Sequence, residues 1–189
     1  MRFSIVTSNQ WKVEEFRNAM EPFGIKLEKN NLDCEEIQAD SLQEVVKHCL
    51  LDLKERGVKN ALLDDSGLFI KRLNGFPGVY SSYIYKTLGC KGILKLMEGE
   101  NDREAYFECC IGCILNEEEI LISERTYGRI ECEMRGTKGF GFDPIFVPDG
   151  ERRTFAEMPI EEKNKISHRG KAIASLIKTL MAKHVVSAR

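Results

Sequence analysis

The 189-residue sequence lacks the features that mark several large classes of protein. Its longest apolar runs are far shorter than a membrane helix, so we expect no membrane-spanning segment. The 28 basic and 30 acidic residues are interspersed and leave a net charge of only −2, so no basic field is available to hold nucleic acid. The composition therefore favours a cytoplasmic globular protein with neither a membrane nor a nucleic acid as its partner.

Firm motifs for nucleotides and metals are missing as well. The sequence contains no G-x-x-x-x-G-K-[ST], and no G-x-G-x-x-G follows the first predicted strand. Cys110 and Cys113 form one C-x-x-C pair among seven cysteines, but a second pair or a close histidine pair, which a zinc site needs, is absent from the sequence. We interpret YFECCIGCIL, residues 106–115, as a buried strand in which cysteine serves as a small apolar residue.

Short strands and amphipathic helices alternate along the first half of the chain. A strand over RFSIVTS precedes a helix that Ser8 or Asn9 caps, with an apolar stripe formed by Trp11, Val13, Phe16, Ala19 and Met20. A capping box predicts a second helix over residues 41–56, and a strand over ALLDD and a short helix at 89–98 follow. Further strands are predicted at about 105–115, 119–124 and 126–133, and a last helix after Ser167. This order predicts an α/β protein with a mixed sheet.

The first candidate site is TSNQWK, residues 7–12, where a strand runs into a helix start. Free backbone N–H groups and the positive end of the helix dipole favour an anion there. Thr7, Asn9 and Lys12 add a hydroxyl, an amide and a cation. Phosphate is the occupant that this chemistry favours, although many strand-to-helix turns carry polar residues without any ligand.

The second candidate is the pair Asp64 and Asp65, set inside the apolar run LLDDSGLFI at residues 62–70. Buried carboxylates without partners are strongly unfavourable, so we expect a cationic partner or a turn at a strand end facing a cleft. An Asx turn explains the pair equally well. With Glu36, Asp65 would offer the hard oxygen ligands that Mg²⁺ prefers, although a solvated glutamate at a strand end also explains Glu36.

Two later segments add aromatic and cationic groups. In GFGFDP, residues 139–144, glycines flank Phe140 and Phe142 beside Asp143, an arrangement that could stack a nucleobase or simply bury two rings in a turn. The segment EKNKISHRG, residues 162–170, sets three cationic or titratable side chains around a helix start. These are Lys163, His168 and Arg169, which suit a phosphate or a purine carbonyl, or else form a solvated basic face.

The motifs in their order along the chain resemble the inosine triphosphate pyrophosphatase, or Ham1-like, family. The segments that carry the resemblance, over about residues 3–180, are TSNQWK, EEIQAD, DDSGLFIKRLNGFPGVYSS, KGFGFDPIFVPDG and TFAEMPIEEKNKISHRGKA. The resemblance implies an elongated α/β fold of two lobes, with a long mixed sheet flanked by helices and a central substrate cleft, formed by residues 1–189 as one domain. It also implies a cytoplasmic homodimer.

The reaction implied by the resemblance is hydrolysis of ITP, dITP or XTP to the monophosphate and pyrophosphate, cleansing the nucleotide pool. Water attacks the α-phosphorus, with Mg²⁺ required and Mn²⁺ as a substitute. Asp65 matches the base that activates water, with Asp64 beside it, and Glu36 and Asp65 match the metal-associated acids. The matching substrate-binding residues are Thr7, Ser8, Asn9, Lys12, Lys47, Ser66, Phe140, Gly141, Phe142, Asp143, Lys163, His168 and Arg169.

Two departures from the family pattern bear on the substrate site. Ser8 stands where glycine is frequent, and Phe142 stands where tyrosine or tryptophan is common, which keeps an aromatic ring but loses a polar edge. Three alternatives stay open on the sequence: a Maf-type nucleotide pyrophosphatase of other specificity, a nucleotide-binding sensor without turnover, and a metal-dependent phosphatase that releases single phosphates. GFGFDP and SHRG argue against the first of these.

Overall fold

The computed structural model describes residues 1–30, 32, 34, 35 and 37–183. The described residues form six strands, namely β1 Arg2–Val6, β2 Lys26–Asn30, β3 Ala61–Ile70, β4 Glu104–Leu115, β5 Glu118–Ile130 and β6 Phe146–Pro148. The same residues form six α-helices, namely α1 Gln10–Met20, α2 Leu42–Glu55, α3 Ser81–Thr87, α4 Gly89–Leu96, α5 Ile160–Ile166 and α6 His168–Ala182. The predicted α/β class is confirmed.

The strands form one sheet in the order β2-β1-β3-β4-β5-β6. Strand β1 is parallel to both neighbours, with Phe3 opposite Leu27 and Ile5 opposite Leu62. Strands β5 and β6 are antiparallel, with Arg129 opposite Val147. The sheet is therefore mixed, as predicted. Helices α1 and α2 supply the connections that parallel strands require.

Contacts divide the chain into two compact units, each with its own core. The first unit comprises Met1–Asp65, Cys109–Glu124 and the described residues from Arg169 onwards. Its core packs strand residues such as Ile5 and Leu62 with Phe16 of α1 and Leu176 of α6. Trp11 is 56% exposed, so its predicted place on the apolar stripe of α1 is wrong. The buried stripe runs through Val13, Phe16 and Met20 instead.

The second unit comprises Ser66–Glu108 and Arg125–His168. Its core contains a cluster of aromatic rings in which Phe107 lies edge-on to Phe146, with ring centroids 4.8 Å apart. Phe155 completes this cluster at 5.3 Å from Phe146. Burial of three large rings supplies much of the apolar area that stabilises a unit of this size.

Several predicted elements differ from the observed ones. The aspartate pair lies within a continuous ten-residue strand β3, so the turn and the strand end predicted there are wrong. The strands predicted at 119–124 and 126–133 are one strand, β5, because no turn residue interrupts the alternation between them. Strand β2 and helix α3 were not predicted. The short stretch KLEKN of β2 carries a single buried residue, Leu27, which is too weak a pattern to identify a strand.

Cys34 and Cys49 form a disulfide that the sequence did not predict. Cys49 lies on the buried side of α2, and Cys34 lies in the segment between β2 and α2. The predicted burial of Cys109, Cys110 and Cys113 in β4 is confirmed. Among the residues described, no helix has both the length and the apolar character that a membrane crossing demands.

Candidate active site

The start of α1 carries the polar groups that the sequence predicted. Asn9 caps the helix by accepting a hydrogen bond from the Trp11 amide at 3.0 Å, and Thr7 Oγ1 accepts one from the Asn9 amide at 3.2 Å. The first turn of the helix contains no acidic residue, and Ser8 is exposed. The positive end of the helix dipole is therefore not neutralised by a neighbouring carboxylate of its own turn.

Lys12 connects this helix start to the aspartate pair. Its Nζ lies 3.2 Å from Asp64 Oδ2 and donates to the Asp64 carbonyl at 3.0 Å. From α6, Arg169 Nε donates to the same Oδ2 at 3.1 Å, and Arg169 Nη1 donates to Glu15 Oε2 at 2.6 Å. The Asp64, Arg169 and Glu15 side chains are all almost completely buried. The predicted cationic compensation of Asp64 is confirmed, and two helices provide it.

The protonation states within this network follow from its charges. Burial alone would raise the pKa of Asp64, but Lys12 and Arg169 outweigh it and hold the pKa below the ordinary value. Burial and the Asp64 charge raise the pKa of the Cys109 thiol, which donates to Asp64 Oδ2 at 3.7 Å. Asp64 is thus an ionised carboxylate surrounded by donors, and such a group is a poor proton acceptor.

Asp65 has a different environment. Because successive side chains of a strand point to opposite faces, Asp65 faces away from Asp64 and is only half-buried. Ser66 follows it and is also half-buried. Lys47 is exposed on α2. Glu36, the other predicted metal-associated acid, lies outside the described residues. The residues described contain no group of three His, Cys, Asp or Glu side chains placed to hold a metal.

In the second unit, residues 139–143 form a tight turn, here called the aromatic turn. Gly139 and Gly141 adopt left-handed φ angles of 74° and 64°. The Asp143 carboxylate closes the turn by accepting from the Phe140 amide at 2.9 Å. A Cβ on Gly139 would overlap this carboxylate. The glycine is therefore required both by the backbone conformation and by the position of the Asp143 side chain.

Lys163 of α5 contacts the aromatic turn through the Asp143 carboxylate. Its Nζ donates to Asp143 Oδ2 at 2.7 Å, with both side chains buried, and lies 5.1 Å from the centre of the half-buried Phe140 ring. The structure thus brings together Phe140, Asp143 and Lys163, three residues that the sequence placed in one binding group. A buried ion pair of this kind fixes the geometry of the turn.

Two other predicted residues lie in the core of the second unit. Phe142 is 3% exposed, which leaves Phe140 as the phenylalanine of the aromatic turn with appreciable exposed surface. His168 is also buried and stacks on Phe107, with ring centroids 4.7 Å apart and planes 8° from parallel. Arg169 follows His168 in sequence but belongs to the first unit, where it contacts Glu15 and Asp64.

Sequence reasoning missed Glu15 and Cys109, which complete the network around Asp64. Glu15 lies three residues after Lys12, so the two side chains share one side of α1, and that spacing was the available signal. Cys109 was recognised only as a buried strand residue. Its contact with Asp64 joins residues 45 positions apart, and no local pattern reports it.

Comparison with known proteins agrees with these motifs. The model of the Ham1 family matches residues 3–179. A dITP/XTP pyrophosphatase of Pyrococcus horikoshii is 49% identical over 180 residues, 95% of this chain and 97% of that protein. A dITP/XTP pyrophosphatase of Thermococcus kodakarensis is 51% identical over 173 residues, 92% of this chain and 94% of that protein.

Solved structures give the same result at the level of the fold. A Ham1 protein of Coxiella burnetii has a TM-score of 0.84 at 32% identity, covering 96% of this chain and 99% of that one. The Ham1 protein of Staphylococcus aureus has a TM-score of 0.85 at 27% identity, covering 97% of this chain and 100% of that one. With its family model matched from residue 3 to residue 179, this chain belongs to the Ham1 family.

Proposed function

We propose that this protein hydrolyses dITP, ITP and XTP to the corresponding nucleoside monophosphate and pyrophosphate. The names of its relatives support this activity. The structural observation that carries this proposal is the difference between the two adjacent acids of β3. Asp64 is buried and forms ion pairs with Lys12 and Arg169, whereas Asp65 is half-buried on the opposite face of the strand. We therefore assign the chemistry to Asp65, the less buried carboxylate of the two, on a strand that the contacts of Asp64 hold in place.

In the proposed reaction, Asp65 accepts a proton from the attacking water. The water oxygen forms a bond to the α-phosphorus, the bond from that phosphorus to the α,β-bridging oxygen breaks, and pyrophosphate leaves. Asp64 is unsuited to this role because its pKa is lowered and its carboxylate already accepts hydrogen bonds from cationic donors. A general base of this kind typically accelerates such a reaction by about 10²- to 10⁴-fold.

We propose that a divalent cation, Mg²⁺ with Mn²⁺ as a substitute, is held by Asp65 and Glu36. Carboxylate oxygens are the ligands that Mg²⁺ prefers, and the half-buried Asp65 side chain has the right donor chemistry. The metal would neutralise phosphate charge during the displacement.

We assign the triphosphate to the residues around the start of α1 and to Lys47, and the base to the aromatic turn and the residues that the family resemblance groups with it. The first set is Thr7, Ser8, Asn9, Lys12 and Lys47, and the second is Phe140, Gly141, Phe142, Asp143, Lys163, His168 and Arg169, with Ser66 assigned to the substrate as a whole. Lys163 contacts the aromatic turn through Asp143 and the Phe140 ring. A donor there would donate a hydrogen bond to the 6-carbonyl oxygen of hypoxanthine or xanthine. It would meet another donor, the 6-amino group, if adenine were bound.

The activity is tested by incubating the protein with Mg²⁺ and each of ITP, XTP, dITP, GTP, ATP and CTP, and by resolving pyrophosphate from orthophosphate. We expect pyrophosphate from ITP, dITP and XTP far faster than from the other nucleotides. Orthophosphate as the product would identify a phosphatase instead, and binding of ITP without turnover would identify a sensor.

We also propose that residues 1–189 act as one domain of two lobes, that the protein is a homodimer and that it works in the cytoplasm. The family resemblance supports the dimer, which light scattering of the purified protein tests. The proposed substrates arise in the cytoplasmic nucleotide pool, which supports the location. The Cys34–Cys49 disulfide weighs against it, because reducing compartments keep most thiols reduced. Counting free thiols in protein isolated under alkylating conditions measures how strong that objection is.

A further inference from the structure

The aromatic turn is held on a second side by residues that neither the sequence nor the proposed chemistry singled out. Its two ends are joined by the Asp143 carboxylate and fixed by Lys163. Its middle, Gly141 and Phe142, contacts helices α3 and α4. We propose that Tyr85 of α3 and Cys90 of α4 are positioning residues that set the aromatic turn for recognition of the nucleobase, an inference that rests on the proposed function.

Tyr85 acts on the aromatic turn through Phe142. The two rings meet edge to face, with centroids 5.4 Å apart and planes at 86°, the geometry that aromatic pairs prefer. Phe142 is almost completely buried, so its ring cannot move without repacking the core of the second unit. Because Phe142 lies two residues from Phe140, the contact with Tyr85 constrains where the more exposed ring is presented.

Cys90 acts through the backbone of the aromatic turn. Its Sγ donates to the Gly141 carbonyl oxygen at 3.4 Å. Burial and the nearby negative charge of Asp143 raise the pKa of this thiol to about 11, so it stays protonated and able to donate at neutral pH. Gly141 has a left-handed φ, and a hydrogen bond to its carbonyl fixes the orientation of a peptide that glycine would otherwise leave free to rotate.

Truncation of Tyr85 should loosen the aromatic turn without disrupting the core, whereas Cys90 is itself a buried residue of that core. Tyr85 and Cys90 line a surface groove of about 410 Å³, together with Lys86, Leu88, Gly89, Lys91 and Met134. Tyr85 is itself 43% exposed. A smaller side chain there extends an existing groove rather than leaving a closed cavity, so the loss should appear in recognition more than in stability.

The test compares Tyr85→Leu with wild type, using steady-state hydrolysis of ITP. Ribose 5-triphosphate, which lacks the base, is measured as a competitive inhibitor. We expect the KM for ITP to rise roughly two- to twelvefold, the range that an edge-to-face ring pair accounts for, with little change in kcat. The inhibition constant of ribose 5-triphosphate should stay at the wild-type value, because that ligand makes no use of the aromatic turn.

Three further variants separate positioning from general damage. Tyr85→Phe keeps the ring and should restore the wild-type KM. Tyr83→Leu truncates a more exposed tyrosine of the same helix. It should leave the KM for ITP and the inhibition constant of ribose 5-triphosphate unchanged. Cys90→Ala should raise the KM for ITP roughly two- to fivefold through the lost hydrogen bond, whereas Cys113→Ala, a buried cysteine of the first unit, should not.

The outcomes that would overturn the inference are distinct from failure of the proposed function. An unchanged KM for ITP in both folded variants, Tyr85→Leu and Cys90→Ala, would show that α3 and α4 do not position the turn. Equal losses toward ITP and ribose 5-triphosphate would show a structural role only. Absence of ITP hydrolysis by the wild-type protein would refute the proposed function itself, and the inference with it.

Discussion

Asp64 of the first unit and Asp143 of the second are both buried carboxylates, and they are compensated in different ways. Asp64 receives its cations from Lys12 and Arg169, which are 52 and 105 residues away in sequence. Asp143 is satisfied by the amide three residues before it and by Lys163, 20 residues later. Both arrangements avoid the penalty of an unpaired buried charge. The first depends on the fold of the whole unit, and the second is built largely from one local turn.

This difference indicates what each carboxylate does. Asp64 ties β3 to α1 and α6, and so fixes the strand on which Asp65 is presented. Asp143 closes the aromatic turn and ties it to Lys163 of α5. Substitutions around Asp64 should therefore alter stability and the chemical step, while substitutions around Asp143 should alter the aromatic turn.

The largest expected effect separates the two acids of β3. Asp65→Asn should lower kcat by about 10²- to 10⁴-fold while leaving thermal stability close to wild type, because Asp65 is only half-buried. Steady-state kinetics with ITP and a thermal melt measure both quantities. A folded Asp65→Asn, Glu36→Gln double variant that keeps full activity would refute the assignment of these acids.

The next effect is on stability. Asp64→Asn leaves Lys12 and Arg169 without their shared carboxylate and should reduce the free energy of unfolding by about 3–5 kcal/mol at neutral pH. Denaturant titration measures this. Asp52→Asn is the matched control, because its ion pair with Arg56 is a partly exposed i,i+4 pair at the end of α2 and should contribute only about 0.3–0.5 kcal/mol.

The stabilisation that Asp64 contributes to the folded protein should decrease in acid, and the Asp64→Asn variant tests this. The folded-state pKa of Asp64 lies below its ordinary value of 3.8, so its contribution is fully present above that pH. The contribution is lost as the pH falls from 3.8 through the lowered folded-state pKa. The stability gap between wild type and Asp64→Asn should therefore narrow below pH 3.8. A gap that stayed constant in acid would show that the Asp64 charge does not stabilise the first unit.

A smaller effect concerns the covalent link in the first unit. Cys34 and Cys49 are 15 residues apart, a loop for which a disulfide contributes about 3 kcal/mol in the chain-entropy model. Reduction should lower Tm by roughly 6–12 °C. Cys132→Ser, which removes an exposed thiol of the second unit, should leave Tm unchanged. A melt insensitive to reductant in wild type would contradict the expected stabilisation.

The remaining stability prediction concerns two glycines of the aromatic turn, with the smaller loss at Gly141. Gly139→Ala and Gly141→Ala should each lower the free energy of unfolding, measured by denaturant titration, by about 1–2 kcal/mol, because both positions have left-handed φ angles. Gly139→Ala should lower it by about 1–3 kcal/mol more, because its Cβ meets the Asp143 carboxylate. No described atom lies within 4 Å of a Cβ at Gly141. Equal losses at the two positions would show that the Asp143 carboxylate can move aside.

The parts of the site that are built from local turns could be predicted from the sequence, and the contacts between residues distant in sequence could not. The capped start of α1 and the aromatic turn use local patterns, and Asn9, Phe140 and Asp143 could be identified from short motifs. The pairing of Asp64 with Lys12 and Arg169 could not, because only the completed fold brings these three residues together. Sequence periodicity also placed Trp11 on the apolar stripe, which failed because the first residues of a helix can face solvent even when later turns are buried.

The most direct measurement of the central claim is hydrolysis of ITP in H₂¹⁸O with mass analysis of both products. Attack by water at the α-phosphorus predicts one heavy oxygen in inosine monophosphate and none in pyrophosphate. Heavy oxygen in pyrophosphate, or release of labelled orthophosphate, would place the attack at another phosphorus and would contradict the proposed reaction.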